Sequence, residues 1–432
     1  MLQIIILADD LSGAADCGVA CVGAGLETLV ALKHSDEDPV ADVLALDADT
    51  RAMAPDRAAE EFDRLTRIYA VNRDVLLFKK IDSTLRGNVG AELAASLHAL
   101  RHVSAGNPHS VAIMAPAFPA IGRTTRNGTQ FVHGQPLHEI DIWRVQGMSG
   151  HAHIPDIVKA AGLSSKLLGF DSIRSAPDTL NETMNSAARD ADVLVCDAET
   201  DDDLLAIAAA SMKLDCRPIW VGSAGLAYQL PRAAGLAKNV VTPPISLPPI
   251  RDSLLFVIGS LSRNSLQQMG LLSSMFGTFG VCVPPEVLLA GEHHPDWLIY
   301  EQRLQQAIQM RQDVVLSPKT EPRIDFNLRP CIAAALARMA ASVGGGIGAL
   351  VASGGETARA VFESLGVTRL RLLGELEKGI PISIVENWNR QLPVITKAGD
   401  FGGADALLKC SQFFHREESP LVAPQNTGKV IE

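Results

Sequence analysis

The stretch KKIDSTLRGN, Lys79 to Asn88, sets two lysines, an aspartate, two hydroxyls, an arginine and a glycine directly behind the apolar run Val75–Phe78. An apolar run that ends in such a cluster reads as a buried strand delivering charged groups to a cleft. Lys80 and Arg86 are suited to hold a small acid's carboxylate or a phosphate, and Asp82 to orient or deprotonate a hydroxyl. The competing account is a solvated loop with incidental charges.

The same theme recurs along the chain. Ile4–Leu7 leads into ADDLSGAAD, Val43–Leu46 into DADTR, Val111–Met114 into APAFPAIGRTTRNG, Val193–Cys196 into DAETDDDL, and Ile219–Val221 into GSAGLA. Short β-branched runs alternating with helical patterns predict parallel sheets covered on both faces, with ligands outside the carboxyl ends of the strands. Asn127-Gly128 and His133-Gly134 flank Thr129–Val132, which predicts a small hairpin or lid.

VTPPISLPPI, Val241 to Ile250, holds four prolines in ten residues and reads as a stiff connector. Beyond it Leu254–Ile258 leads into GSLSRNSLQQ, Ala349–Ala352 into SGGETARAV and Val394–Ile395 into TKAGDFGGADAL, with a further run at Val314–Leu316. The expected architecture is two three-layer α/β/α domains with mostly parallel sheets and the active site in the cleft between them. The expected boundaries are 1–240, a connector at 241–250, 251–416 and a loose tail at 417–432.

The two sets of tips differ in chemistry. The N-terminal one presents Asp9, Asp10, Asp49, Arg51, Lys79, Lys80, Asp82 and Arg86, a mixed-charge group suited to a small polyhydroxy acid. The C-terminal one presents Gly354, Gly355, Glu356, Thr357, Gly399, Gly402 and Gly403, suited to backbone amides cradling a nucleotide's phosphates at helix N-termini. An acceptor half and an ATP half closing together would exclude water from phosphoryl transfer. A P-loop kinase is not expected, because no G-x-x-x-x-G-K-[ST] occurs, and no strand-linked G-x-G-x-x-G supports a dehydrogenase. A sugar-acid sensor would need no phosphate cradle.

ADDLSGAAD (Ala8–Asp16), DTR (Asp49–Arg51), KKIDSTLRGNVGAE (Lys79–Glu92), APAFPAIGRTTRNG (Ala115–Gly128), GSAGLA (Gly222–Ala227), SGGET (Ser353–Thr357) and KAGDFGG (Lys397–Gly403) together resemble the four-carbon acid sugar kinase family, in the family's order along nearly the whole chain. The resemblance implies ATP-dependent phosphorylation of the terminal hydroxyl of a four-carbon sugar acid, with D-threonate ahead of D-erythronate, L-threonate and 3-oxo-tetronate. It implies ATP contacts at Ser260, Ser262, Gly354, Gly355, Glu356, Thr357, Gly399 and Gly402, and acid contacts at Asp9, Asp10, Arg51, Lys80, Asp82 and Arg86. Ser12 stands where the family has threonine, and GSLSRNS departs from the usual turn on the adenine side.

Among these residues, Arg86 and Arg51 are expected to bind the carboxylate, Lys80 to reach the transferring phosphoryl group, and Asp10 or Asp82 to be the base. Mg2+ is expected with ATP, its protein ligands left open; Glu356 is either one of them or a helix-dipole residue. His151/His153 and His293/His294 read as surface loops, and Asp201-Asp202-Asp203 as a helix start.

Composition sets the outer bounds. A length of 432 residues exceeds one ordinary core, and a net charge of −11 argues against nucleic-acid binding. No apolar run approaches a membrane span, and the start MLQIIILADD lacks a basic n-region and cleavage site, so a cytoplasmic enzyme is expected, with a homodimer left open. The scattered cysteines, without any C-x-x-C pair, read as reduced and mostly core.

Overall fold

The computed structural model describes residues 2–35, 40–103, 109–141, 143, 148, 150–238, 245, 247, 250, 252–260, 262–319, 328–386, 388, 391–399 and 401–415. Of the connector only 245, 247 and 250 are among them, and the tail 417–432 lies outside. The chain divides into two compact units, Met1–Lys238 and Asn239–Glu432. Among the described residues no helix is long and apolar enough to cross a membrane.

In the first unit the main strands are β1 (Ile4–Ala8), β2 (Thr28–Ala31), β3 (Val43–Asp47), β4 (Leu76–Lys80), β5 (Ser110–Ala115), β9 (Ser165–Leu168), β10 (Val193–Cys196) and β11 (Arg217–Gly222). They run parallel in the order β2-β3-β1-β4-β11-β5-β10-β9. β1 and β3 are buried along their whole length, so their unbroken apolar sequences have a sheet face to fill on both sides. Helices Pro55–Tyr69 and Val89–Val103 pack on one another, as do Leu11–Gly23 and Ala224–Ala233. Phe62, on the first of these, is fully buried, and burying a ring of this kind contributes about 1.5–3 kcal/mol.

A second, small antiparallel sheet joins β6 (Arg123–Arg126), β7 (Thr129–Val132) and β8 (Gln135–Pro136). Its turns are the expected ones: Asn127 and Gly128 have φ of 49° and 69°, His133 and Gly134 of 49° and 82°. Two successive left-handed residues match the twist of a two-residue hairpin.

In the second unit β12 (Ser253–Ile258), β13 (Phe279–Val283), β14 (Val314–Pro318), β15 (Ile347–Ser353), β16 (Arg369–Glu375), β17 (Pro381–Val385) and β18 (Pro393–Lys397) follow the order β13-β14-β12-β15-β18-β17-β16. The first five are parallel, and β17 and β16 continue as antiparallel strands. Sequence analysis did not anticipate β2, β9, β13, β16 or β17. β9, β13 and β16 carry partly exposed residues and mix polar with apolar side chains, so they lack the continuous apolar signature of a central parallel strand.

Cys17, Cys21, Cys196, Cys216 and Cys410 are buried as expected, whereas Cys282 and Cys331 are exposed. Cys282 lies on the outward face of the edge strand β13. Helix Asp201–Ser211 starts at the aspartate run, and its cap is Thr200, whose hydroxyl accepts from Asp203 N while the Asp203 carboxylate accepts from Thr200 N.

Candidate functional site

In the first unit the chain leaves β1 toward β3 on one side and β4 on the other, which makes the carboxyl ends of these strands a topological switch point. Asp9 and Asp10 follow β1, Thr50 and Arg51 follow β3, and Lys80 ends β4. Arg51 grips both aspartates. Its Nε and Nη2 donate to Asp9 Oδ2 and Oδ1 at 2.7 and 2.8 Å, and its Nη1 and Nη2 to Asp10 Oδ2 and Oδ1 at 2.5 and 2.8 Å. Burial pushes the Asp9 carboxyl up, but Arg51 and Lys80 outweigh it and hold the group at about 2. Burial likewise pulls the Arg51 guanidinium down, and Asp10 and Asp9 more than reverse this.

Asp10 is also the N-cap of helix Leu11–Gly23, its Oδ1 accepting from Gly13 N at 2.9 Å. Lys80 reaches this same helix start: a Cβ added to Gly13 would stand 2.3 Å from Lys80 Nζ and 2.7 Å from Asp10 Oδ1. The glycine of ADDLSGAAD therefore makes room for an ammonium beside the cap.

The KKIDSTLRGN segment then turns over this cluster. Asp82 Oδ1 accepts from Thr84 N at 3.0 Å and Thr84 Oγ1 at 3.2 Å, and its Oδ2 pairs with Arg86 Nε. Gly87, at φ 85°, lies so close that a Cβ would be 3.1 Å from Asp9 Oδ2 and 3.4 Å from Arg51 Cγ. Asp82 and Arg86 thus pair with each other on the segment whose Gly87 lies against Asp9 and Arg51, and Asp9, Asp10, Arg51 and Lys80 are brought together. Lys79 and Asp49 are not. Alternation along β4 sends Lys79 to the opposite face, fully buried, where its Nζ donates to Glu92 Oε2 at 2.7 Å and lies 4.0 Å from the Phe62 ring centroid. Glu92 in turn accepts from Thr50 Oγ1 at 2.6 Å, so this pair braces the loop that carries Arg51. Asp49 is exposed at φ 53°.

In the second unit the switch point lies between β12 and β15. Gly259 and Ser260 follow β12, Gly354 follows β15 and Gly399 follows β18. A Cβ on Gly259 would stand 1.9 Å from Thr357 Oγ1, one on Gly399 would stand 2.4 Å from Ser260 Oγ, and Gly354 sits at φ 104°. Bare backbone is required at all three. Gly355 opens helix Gly355–Ser364, with Glu356 exposed in its first turn and Thr357 buried. Ser353 Oγ is buried without a hydrogen-bond partner among the described residues. The donors and the bare backbone suit an anion at a helix N-terminus.

Ser262 caps helix Arg263–Phe276, accepting from Ser265 N at 3.1 Å, while Ser265 Oγ donates to Gly399 O at 2.8 Å. Gly402 has a φ of 81°. Its carbonyl accepts from Asn264 Nδ2 at 3.1 Å, and a Cβ there would meet Ala406 at 2.6 Å, so it packs the loop. Asp400 of KAGDFGG lies outside the described residues.

Sequence reasoning gave no role to Lys397, which is buried with its Nζ donating to Ala398 O and Gly399 O at 3.0 and 2.8 Å. A lysine closing an otherwise apolar strand was the available signal, the same one that drew attention to Lys80.

The first unit matches a sugar-binding N-terminal domain model over residues 4–230, and the second a nucleotide-binding C-terminal domain model over residues 255–407. A D-threonate kinase of Cupriavidus necator is 39% identical over 427 residues, spanning 96% of this chain and 99% of the relative. The chain belongs to the four-carbon acid sugar kinase family. A D-threonate kinase of Bordetella bronchiseptica is 30% identical over 94% of this chain and 96% of its own, and a D-erythronate kinase of Heliobacterium modesticaldum is 28% identical over 96% and 97%. The crystal structure of Haemophilus influenzae HI1011, 20% identical, shares the fold with a TM-score of 0.72 over 95% of this chain and 100% of that one.

Within this acid sugar kinase the histidine pairs have neighbours of their own. His151 Nδ1 is 3.2 Å from His138 Nε2 near the exposed surface, His153 pairs with Asp156, and His294 lies 4.0 Å from Asp296. Among the described residues no group of three or more His, Cys, Asp or Glu is placed to hold a metal ion.

Proposed function

We propose that this chain transfers the γ-phosphate of ATP to the terminal hydroxyl of D-threonate, giving D-threonate 4-phosphate in the cytoplasm. The reading rests on the likeness to the D-threonate kinase of Cupriavidus necator, which runs through both units of the chain. The acceptor site is the Asp9, Asp10, Lys80, Asp82 and Arg86 cluster, and the triphosphate site is the bare backbone of Gly259, Gly354 and Gly399 with Ser260, Ser262, Gly355 and Thr357.

The chemistry divides among these residues as follows. Arg86 offers the substrate carboxylate a planar fork of donors. Arg51 fixes Asp9 and Asp10 rather than meeting the acid as its main partner, since Nε and both Nη atoms already donate to them. Lys80 carries a positive charge toward the phosphoryl group in flight, and Asp10 or Asp82 aims the attacking hydroxyl. The N–H groups opening helix Gly355–Ser364 receive phosphate oxygens. The donor set also fits Mg2+, a hard ion that takes phosphate oxygens, water and one or two carboxylates, for which the exposed Glu356 stands beside the cradle. When bound, the ion would neutralise charge on the phosphates.

The deciding experiment measures ADP release by the purified protein with Mg2+ and each of D-threonate, L-threonate, D-erythronate and 3-oxo-tetronate. D-threonate is expected to have the highest kcat/KM. A higher value for another of these acids transfers the assignment to that acid, and tight binding without turnover of any would make the protein a sensor.

A further inference from the structure

The sheet β6–β8 has no part in the reaction described so far, yet its central strand carries a buried amide aimed at the acceptor loop. Gln130 and Thr125 are both fully buried. Thr125 Oγ1 donates to Gln130 Oε1 at 2.7 Å, and Gln130 Nε2 donates to Ser83 O at 2.8 Å. The Ser83 carbonyl, which can only accept, fixes which end of the amide faces it, and the Thr125 hydroxyl holds the other end.

The hairpin behind this amide is firmly held. The Asp197 carboxylate accepts from Asn127 N at 2.7 Å and Gly128 N at 2.9 Å, and Thr125 and Ala198 exchange backbone bonds at 2.9 and 3.1 Å. Gln130 N donates to Ala152 O at 3.0 Å. What it holds lacks regular structure. Residues 81–88 form neither helix nor strand, and they pass through positive φ at Leu85 (56°) and Gly87 (85°). Ser83 lies between Asp82 and Thr84, whose mutual hydrogen bonds are local and fix no position relative to the rest of the unit.

We propose that Gln130 is a positioning residue of the acceptor site: its amide, clamped by Thr125, fixes the Ser83 peptide and so sets where Asp82 and Arg86 point. The small sheet is then a splint that transmits the rigidity of the β10 tip to the catalytic loop. This inference rests on the acceptor-site reading given above. A buried carbonyl that loses its donor is costly, and a catalytic loop displaced by a fraction of its width loses aim.

Two substitutions test it, with the parent's kinase activity established first, so that a parent inactive on every four-carbon acid overturns the function and not this inference alone. Gln130→Met keeps the length of the side chain and removes both polar ends. It is expected to lower kcat/KM for the acid by on the order of tenfold or more, with the KM for ATP unchanged. Gln130→Glu keeps the Thr125 contact but as a carboxylate has no donor for Ser83 O; only its protonated form restores one. Its kcat/KM relative to the parent is therefore expected to rise as pH falls while its circular-dichroism spectrum stays that of the folded protein at every pH used, which separates lost aim from lost folding. An unchanged kcat/KM for the acid in Gln130→Met, or a Gln130→Glu ratio flat with pH, overturns the proposal. Should Gln130→Met not fold, the pH ratio decides alone.

Discussion

Replacing Gly13 by alanine isolates the position of one ammonium from its charge. The added Cβ would stand 2.3 Å from Lys80 Nζ and 3.1 Å from Lys80 Cε, where ordinary contact starts at 3.4 Å, so the ammonium must retreat by about 1 Å. The end of a long side chain can move; the helix need not. Alanine favours the interior of helix Leu11–Gly23 by about 1 kcal/mol over glycine, while the new methyl crowds Asp10 Oδ1 at 2.7 Å and weakens a cap worth about 1 kcal/mol. These effects oppose each other, so the thermal midpoint should stay near the parent's. Turnover should not, because a misplacement of about 1 Å at the reacting centre costs about 10²-fold. Steady-state kinetics with ATP and D-threonate beside a circular-dichroism melt read both quantities, and Lys80→Met gives the loss when the charge is removed outright. A Gly13→Ala enzyme with the parent's kcat, while Lys80→Met is crippled, would refute the claim that the ammonium acts from this position.

Gly399→Val places a side chain against Ser260, whose Oγ and Cβ lie 2.4 and 2.8 Å from the would-be Cβ. The KM for ATP should rise more than that for the acid, and equal changes would count against the phosphate-cradle assignment. Asp9 gives a pH dependence of definite sign. Its folded carboxyl sits at about 2 against an ordinary 3.8, so the stability it contributes is fully present above about pH 4 and is lost as pH falls toward 2. Denaturant midpoints measured from pH 5 to 2 should fall less steeply for Asp9→Asn than for the parent, whereas Asp203, also held at about 2, contributes the same decline to both.

The parts of this protein that were legible in its sequence share one physical property: they are local. A central parallel strand announces itself by an unbroken apolar run, and the residue that ends it is readable as a tip, which is how Asp9, Lys80, Ser260, Gly354 and Gly399 could be named. Relations between distant segments were not legible. Nothing local distinguishes Lys79 from Lys80; the strand's alternation separates them, and which face leads to the site depends on where Phe62 and Glu92 arrive from. Arg51 could be identified as a guanidinium suited to a carboxylate, but that the carboxylates are the protein's own follows from β3 lying beside β1. The glycines behave alike. Gly259 and Gly399 are forced by Thr357 and Ser260, which come from other strand tips.

The two candidate bases show how pairing, long-range between Asp10 and Arg51 and local at Asp82, shapes the mechanism. A carboxylate offers about four lone-pair directions. Asp10 accepts from Gly13 N, Arg51 Nη1 and Arg51 Nη2, and Asp82 from Thr84 N, Thr84 Oγ1 and Arg86 Nε. On the proposed reading each keeps about one direction for a substrate hydroxyl, and that direction is fixed by backbone and guanidinium donors instead of by a free rotor. Such a carboxylate is a sight more than a sponge for protons. Phosphoryl transfer through a loose transition state needs the nucleophile in line and asks little of a base before bond formation. An acceptor site that fills most of its carboxylates' lone pairs with its own donors therefore gives up freedom that the reaction does not use and gains the aim that it does.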